Sequence, residues 1–185
     1  MSRQNPIFIP DFLDAATCRR VRIAMDRGAA DPAEVLDEGM ALDEEARRAS
    51  SIEVDPVTLA LVDERFDAAR SWLSARCGVP LSGREGVGFI RYSHGGFYGP
   101  HCDQGFDPQW PAAARRQIAV VVFLNSGGFM GGELVIYPEM PADSLSAPLE
   151  VTPREGLLVA FDAARLHEVR PVAGGIRDVL VDWFY

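Results

Sequence analysis

Two potential metal ligands, His101 and Asp103, lie one residue apart in the segment RYSHGGFYGPHCD, residues 91–103. Because alternate side chains of a β-strand point to the same face, an extended segment would direct both ligands to one point and turn Cys102 away. One imidazole and one carboxylate suit a divalent cation. A His-x-Asp pair alone is a weak signal, since a single histidine is more often an ordinary polar residue than a ligand.

A metal site of this kind needs a third protein ligand, and His167 is the best candidate. The chain has three histidines, and the remaining one, His94, lies in a Gly-rich turn. Two imidazoles and one carboxylate form a facial ligand set for non-haem Fe(II), with the other coordination positions open to a co-substrate and to oxygen. The residue types therefore predict an iron centre made of His101, Asp103 and His167.

Arg177 follows His167 by ten positions, across an Ala-Gly-Gly turn. If that turn places two neighbouring strands side by side, the guanidinium of Arg177 projects into the interior beyond the metal. A guanidinium binds carboxylates in a bidentate manner, so it suits the distal carboxylate of a dicarboxylate co-substrate. Burying this charge without a partner would cost free energy.

Two helices are predicted in the first part of the chain. Residues 11–28 show helical spacing, with Asp14 as the cap and Gly28 as the end. Asp55, followed by proline, opens a second helix that ends at Gly78. The expected buried stripe of the second helix consists of Leu59, Val62, Phe66, Ala69 and Leu73.

After residue 80 the sequence changes to short β-type runs separated by Gly and Pro. The predicted strands are residues 87–92, the segment ending at 102, and residues 117–124, 133–137, 149–152, 157–161, 168–171 and 176–184. About eight short strands with two helices predict a mainly β fold, an antiparallel two-sheet jelly roll of the cupin-like, double-stranded β-helix type.

We expect one domain over residues 1–185, with helical support in residues 1–80 and the jelly-roll catalytic core in residues 81–185. Residues 31–50 show weak periodicity and are expected to be mostly loop. The connection 104–115, which contains Phe106 and Trp110, is expected to form a lid over the metal site.

The composition restricts the partners and the location. A formal net charge of −9 argues against non-specific binding to nucleic acid or to anionic membranes, so the partner is expected to be small or basic. No signal peptide is recognisable, and no segment approaches the ~18 apolar residues of a membrane span. Three widely spaced cysteines without a CxxC motif indicate a reducing, cytoplasmic environment.

Three motifs follow one another in the second half of the chain. Tyr92, Gly95, Tyr98, His101 and Asp103 fit the pattern Tyr-x-x-Gly-x-x-Tyr-x-x-His-x-Asp. The segment GGELVIYP at 131–138 comes next, followed by HEVRPV, GIR and WF within 167–184. In this order the motifs resemble the 2-oxoglutarate- and Fe(II)-dependent dioxygenases of the prolyl 4-hydroxylase type. The resemblance covers residues 85–185 and extends only loosely to the helices.

The resemblance implies a role for each matching residue. His101, Asp103 and His167 would bind Fe(II), Arg177 would pair with the far carboxylate of 2-oxoglutarate, and Tyr92 would hydrogen-bond the same molecule. Residues that fall where such enzymes line the substrate groove are Tyr98, Arg116 and Trp183 and, on shorter matches, Arg48, Ser50 and Glu85. Tyr98 and Trp183 also fit as core aromatics, and Arg116 as an exposed charge. Phe123 stands where relatives often carry Tyr.

The same resemblance implies the reaction and its cofactors. An unactivated C–H bond would be hydroxylated with O2, Fe(II) and the co-substrate 2-oxoglutarate, releasing succinate and CO2, and ascorbate belongs to the expected cofactors. Three functions stay open: hydroxylation of a prolyl or other residue in a peptide or protein, the same chemistry on a free amino acid or small metabolite, or a non-catalytic cupin-like metal-binding or sensor protein. No nucleic acid or membrane partner is expected.

Overall fold

A computed structural model describes residues 5–36, 40–41, 43–105, 111–138 and 147–185. Within these ranges the chain forms two helices, α1 (Ala15–Met25) and α2 (Pro56–Cys77), and one 3-10 turn, Ala113–Arg115. The strands are β1 (Ile7–Ile9), β2 (Ala30–Pro32), β3 (Val35–Leu36), β4 (Met40–Ala41), β5 (Arg47–Arg48), β6 (Ser50–Ile52), β7 (Gly88–Tyr92), β8 (Phe97–His101), β9 (Ile118–Phe123), β10 (Phe129–Gly131), β11 (Leu134–Ile136), β12 (Leu149–Val151), β13 (Leu158–Asp162), β14 (His167–Val169), β15 (Val172–Gly175) and β16 (Arg177–Phe184).

The helix caps follow the sequence signals. The carboxylate of Asp14 accepts a hydrogen bond from the Thr17 backbone N–H at 2.7 Å, which satisfies one unpaired donor at the start of α1. Asp55 caps α2 in the same way, and Gly78 ends that helix in the left-handed conformation at φ 64°. These caps are confirmed. The predicted end of α1 at Gly28 is late, because the helix ends at Met25 with Asp26 as its C-cap.

The predicted buried stripe of α2 is wrong at Leu59. Leu59 is 37% exposed, whereas Thr58 is buried and aligns with Val62, Phe66 and Leu73. The polar Thr58 occupies the inward position because its hydroxyl donates to the capping carboxylate of Asp55 at 2.6 Å. The sequence prediction considered only apolar residues at helical spacing, so it assigned the inward position to the neighbouring Leu59. Neither helix in the described residues is long and apolar enough to cross a membrane.

The strands form two main sheets, as the jelly-roll prediction requires. The larger sheet has the order β1-β13-β9-β16-β7-β6-β2 and the smaller one β12-β11-β14-β8-β5. All the pairings between described strands are antiparallel. Strand β9 shows how the sheets pack: Val120 and Val122 face the helices, while Val121 and Phe123 face the space between the sheets. The fold thus has two apolar layers, and the inner one surrounds the site.

The expectation that residues 31–50 are mostly loop is wrong. Strands β2 and β6 pair with each other and extend the larger sheet through β7, and β5 pairs with β8 of the smaller sheet. All three residues of β2 are exposed, so an edge strand of this kind lacks the apolar alternation that reveals a strand in sequence. The predicted lid is not described over residues 106–110, which include Phe106 and Trp110.

Strand β16 carries buried charge on its helix-facing side. Asp178 and Asp182 are both fully buried. Asp178 accepts hydrogen bonds from Arg91 at 2.7 and 3.0 Å and from Arg22 at 3.1 Å, and Asp182 accepts one from Arg84 at 2.7 Å. Burial raises the pKa of Asp182 despite the hydrogen bonds from Arg84 and from two backbone N–H groups. These ion pairs tie β16 to its neighbours and to α1 and α2.

Arg84→Ala should lower the free energy of unfolding by about 3 kcal/mol, since it leaves the buried Asp182 carboxylate without its cation. Urea unfolding followed by circular dichroism would measure the change. Arg19→Ala, at an exposed position on α1, is the control and should change stability by less than about 0.5 kcal/mol. Adding Asp182→Asn to Arg84→Ala should restore part of the loss. Equal stability of the two single variants would contradict the ion-pair argument.

Candidate metal centre

The structure brings the three predicted ligands His101, Asp103 and His167 together. Their ligand atoms all lie within 4.8 Å of one another. The Nε2 atom of His101 lies 3.6 Å from Oδ1 of Asp103, and the Nε2 atom of His167 lies 3.4 Å from Oδ2 of the same carboxylate. Both imidazoles therefore direct the same type of nitrogen at one carboxylate, as binding of a single cation requires.

Two paired strands produce this arrangement. His101 ends β8 and His167 begins β14, and the two residues are direct partners in the antiparallel ladder. Partner side chains in a ladder lie on one face about 5 Å apart, and the two imidazole centroids are 4.1 Å apart. Asp103 lies two residues beyond His101 and returns to the same face, whereas Cys102 is exposed. Strand pairing rather than a local turn makes the site.

Backbone carbonyls set the tautomers of both histidines. The Nδ1 atom of His101 is 2.8 Å from the carbonyl oxygen of Gly99, and the Nδ1 atom of His167 is 2.9 Å from that of Arg165. Because a carbonyl oxygen can only accept, each Nδ1 carries the hydrogen and each Nε2 keeps a lone pair. This is the usual way in which a protein orients imidazoles for a metal.

The local electrostatics favour the forms that bind a cation. Burial lowers the pKa of His167 to about 4, so its imidazole is neutral at pH 7. Burial alone would raise the pKa of Asp103. His167, His101 and a hydrogen bond from the Trp183 side chain lower this pKa by a larger amount, so the pKa of Asp103 lies below its usual range. Metal ligands must be deprotonated. A neutral imidazole and an ionised carboxylate therefore fit a divalent metal.

The guanidinium of Arg177 is a buried charge in the same cavity. Arg177 is 1% exposed, and none of its three side-chain nitrogens has a hydrogen-bond partner among the described residues. The guanidinium lies over the rings of Tyr92 and Phe123, at 5.0 and 5.2 Å. Burial lowers the pKa of Arg177 to about 10, so it stays protonated at pH 7. Arg177 is thus a buried cation that no carboxylate of the described residues binds directly.

The strand arrangement that places Arg177 in the cavity differs from the one predicted from the sequence. The strands that begin with His167 and Arg177 are not neighbours: β14 pairs with β11 and β8, whereas β16 pairs with β7 and β9. The Ala-Gly-Gly segment is strand β15, which pairs with β10. Arg177 nevertheless lines the same cavity as the three ligands, because the two sheets face each other. The predicted proximity is observed, and its predicted cause is wrong.

A glycine makes room for Arg177. Gly132 has φ +69°, and a Cβ at this position would lie 2.9 Å from both the Arg177 Cδ and a methyl group of Val172. A side chain would therefore be strained by the backbone and would collide with the arginine. The double glycine at 131–132, which the sequence showed as a motif, is needed where the chain passes this guanidinium.

Arg116 is a buried support of the site and not an exposed charge. It is 6% exposed and binds both oxygens of Glu85 at 2.7 Å. It also donates to the backbone carbonyl of Asp103 at 3.1 Å, and its guanidinium lies 3.9 Å from the Trp183 ring. Since Trp183 hydrogen-bonds the Asp103 carboxylate, Arg116 holds both the backbone and the indole that fix this ligand.

The N-terminal residues contribute to the cavity through Arg47, which sequence reasoning missed. Tyr98 stacks on His101 with ring centroids 3.4 Å apart, and the guanidinium of Arg47 lies 4.6 Å from the Tyr98 ring. Arg48, the residue suggested by sequence, is exposed and lies over Phe97 instead. Neither Arg48 nor Ser50 lines the cavity. The pairing of β5 with β8 places Arg47, and not Arg48, at the cavity. The role of Arg47 in lining the cavity could be recognised only from that pairing.

The second half of the chain matches a known family. Residues 87–185, more than half of the chain, match the model of the 2OG-Fe(II) oxygenase superfamily. A PKHD-type hydroxylase of Parvibaculum lavamentivorans is 25% identical over 181 residues, which cover 95% of this chain and 76% of the relative. A PKHD-type hydroxylase of Rippkaea orientalis is 35% identical over 99 residues, but these cover 51% of this chain and only 40% of the relative.

Solved structures resemble the whole described fold. A Pseudomonas putida prolyl-4-hydroxylase is similar with a TM-score of 0.70 and 25% identity, covering 99% of this chain and 92% of the other. A Trichoplax adhaerens prolyl hydroxylase, solved with a peptide fragment of a hypoxia inducible factor, has a TM-score of 0.79 at 18% identity and covers 97% and 83% of the two chains. The second likeness shows a shared fold.

Arg116→Gln should weaken metal binding by about 10- to 100-fold, because it removes the groups that fix Asp103 without removing a ligand. Titration with Mn(II), followed by calorimetry, would measure the dissociation constant. Arg115→Gln is the matched control, since Arg115 stacks on Tyr185.

Adding Glu85→Gln to Arg116→Gln separates positioning from folding. The double variant removes the unpaired carboxylate and should recover thermal stability while metal binding stays weak. Equal Mn(II) affinity of Arg116→Gln and Arg115→Gln would contradict the positioning role.

Proposed function

The chain belongs to the 2OG-Fe(II) oxygenase superfamily, and from this membership we propose that it is an Fe(II)- and 2-oxoglutarate-dependent hydroxylase. His101, Asp103 and His167 hold the Fe(II), and Arg177 with Tyr92 holds the 2-oxoglutarate. The observation that carries the proposal is the guanidinium of Arg177, which is buried in the cavity that the three ligands line and has no hydrogen-bond partner in the described part of the chain.

The proposed co-substrate explains why this charge is tolerated. A buried cation without a partner costs several kcal/mol, and a terminal carboxylate offers two oxygens that match the guanidinium fork. The rings of Tyr92 and Phe123 lie beside the guanidinium, and no described residue accepts a hydrogen bond from it. Tyr92 is the direct strand partner of Arg177, so its hydroxyl is the natural second donor to the same ligand.

When bound, Fe(II) and 2-oxoglutarate supply the oxidation, in which O2 is consumed, succinate and CO2 are released and a C–H bond of the substrate becomes C–OH. The protein provides orientation. The backbone carbonyls of Gly99 and Arg165 keep the metal-binding nitrogens of both histidines unprotonated, and Trp183 and Arg116 keep Asp103 in place. The apolar residues of the inner layer exclude water around Arg177.

A prolyl or other residue of a peptide or protein is the first candidate substrate. The relatives reported above are named as hydroxylases, and one similar structure was solved with a peptide fragment. In this chain an open groove adjoins the cavity and shares Glu34, Arg47, Val181 and Trp183 with it. A peptide could lie in that groove with one side chain in the cavity.

A free amino acid or small metabolite is the second candidate. The observation that favours it is Arg47, a cation at the junction of cavity and groove that pairs with no carboxylate among the described residues. The non-catalytic sensor is not favoured, because metal binding alone does not require the buried Arg177, which has no hydrogen-bond partner among the described residues. A single domain over residues 1–185 and a cytoplasmic location stay predictions, as does ascorbate as a reductant.

Succinate formation should depend on Fe(II), 2-oxoglutarate and a substrate. We expect a mass-spectrometric screen of proline-containing peptides and free amino acids, with ascorbate as reductant, to find a product heavier by one oxygen atom. Asp103→Ala, which removes the anionic ligand, should abolish both the product and the succinate. A protein that binds metal but forms no succinate with any member of the screen would support the sensor instead.

Arg177→Met should weaken 2-oxoglutarate binding by at least about 30-fold, corresponding to the 2 kcal/mol or more of a broken buried charge pair. It should also raise the Tm of the protein without co-substrate, because an unpaired buried charge is replaced by an apolar side chain. Calorimetry with Mn(II) present and differential scanning fluorimetry would measure the two effects. Arg170→Met, at an arginine whose side chain is 46% exposed, should change neither. Unchanged affinity in the Arg177 variant would exclude the assigned role.

A further inference from the structure

Arg47 is the cation at the outer end of the cavity. We propose that its guanidinium binds a carboxylate of the substrate and so determines which molecules the enzyme accepts. The inference rests on the proposed function and deepens it, since it names the chemical group by which the substrate is recognised.

The position of Arg47 suits contact with substrate. Arg47 lines the cavity together with the three metal ligands, and it also lines the adjoining groove. Only four residues line both spaces within the described part of the chain, namely Glu34, Arg47, Val181 and Trp183. A molecule that enters from the groove therefore passes Arg47 before it reaches the metal.

The guanidinium of Arg47 is only partly satisfied. Its Nη1 donates to the backbone carbonyl of Glu34 at 2.7 Å, while its Nε is buried and has no hydrogen-bond partner in the described ranges. A buried donor left without an acceptor costs about 1–3 kcal/mol. Since Nη1 is already engaged, the edge formed by Nε and Nη2 remains, and this edge binds a carboxylate through two parallel hydrogen bonds.

Tyr98 fixes the orientation of this edge. The Tyr98 and His101 rings are stacked at 3.4 Å with an interplanar angle of 15°, which leaves no space for another group between them. The guanidinium of Arg47, 4.6 Å from the Tyr98 ring, must therefore lie over the other face. Tyr98 separates Arg47 from the metal ligand by the thickness of one ring. A small substrate could thus reach the metal while its carboxylate stays on Arg47.

The charges around the cavity favour an anion at Arg47. Among the residues that the structure describes, three arginines line the cavity. Arg116 is neutralised by both oxygens of Glu85, and Arg177 is assigned to the co-substrate. Arg47 is the third, and its contact to Glu34 uses the backbone carbonyl rather than the carboxylate. The groove beyond it carries Asp31 and Glu53, which would repel a carboxylate placed there. The anionic end of a substrate is therefore directed to Arg47.

A carboxylate of this kind has two sources, a free amino acid or the C-terminus of a peptide. We would use the 20 free L-amino acids with their amides, and proline-containing peptides with a free or an amidated C-terminus. Each probe would be added to the protein loaded with Mn(II) and 2-oxoglutarate. The loaded protein can bind a probe but does not convert it to product. The measurement is the shift in Tm, and where a probe supports succinate formation, KM and kcat as well.

We expect at least one free acid to raise the Tm more than its amide does. Arg47→Gln should remove this preference and raise KM at least 10-fold with little change in kcat, since the lost contact is equally strong in ground and transition states. Arg47→Lys should retain part of the preference. Arg48→Gln is the matched control, because Arg48 neighbours Arg47 on β5 but is exposed and lies outside the cavity.

Three outcomes overturn the inference. It fails if no free acid stabilises the loaded protein, if amides bind as well as acids, or if Arg47→Gln binds like Arg48→Gln. The outcome for the proposed function is separate. Acids that bind through Arg47 without any succinate formation would overturn the hydroxylase alone, whereas succinate formation without a preference for acids would overturn only the role of Arg47.

Discussion

The site depends on the packing of two antiparallel sheets face to face. The smaller sheet supplies His101 and His167 through the pairing of β8 with β14, and the larger sheet supplies Arg177 through β16. His167 and Arg177 are only ten residues apart in sequence, but the strands that carry them belong to different sheets and do not pair. Their shared cavity exists only because the apolar inner layer holds the sheets at a fixed separation. Loss of that layer would separate the cation from the three ligands.

Successive side chains of strand β16 point alternately into the cavity and toward the helices. Its inward residues Arg177 and Trp183 line the cavity, while its outward residues Asp178 and Asp182 are held by arginines from β7, α1 and the segment before β7. A shift by one residue would place the aspartates in the cavity and the arginine beneath the helices. The buried ion pairs therefore specify the register of the strand as well as contributing to its stability. The helices, which carry no part of the site, act on it through these contacts.

Much of this arrangement could be predicted from the sequence, and the failures have physical causes. The meeting of His101, Asp103 and His167, the place of Arg177 in the cavity and both helix caps depend on local spacing or on motifs, and these are confirmed. The relation of β14 to β16 was predicted wrongly, because turn residues such as Ala-Gly-Gly do not distinguish a hairpin from a strand that pairs elsewhere. Arg47 was missed, since a two-residue edge strand has no periodicity. Its neighbour Arg48 was named instead because an Arg-x-Ser pattern contains no information on which side chain faces inward.

The crowding around Gly132 limits how such a protein could be redesigned. Arg177 lines the cavity, and Gly132, in the connection between β10 and β11, lies so close to its side chain that there is no room for even a methyl group. A change at position 132 therefore cannot tune the length of the acid that is accepted, because any added atom acts on the arginine first. Altered co-substrate preference, for a longer or shorter dicarboxylate, would have to be engineered at residue 177 or at the rings of Tyr92 and Phe123 beside it.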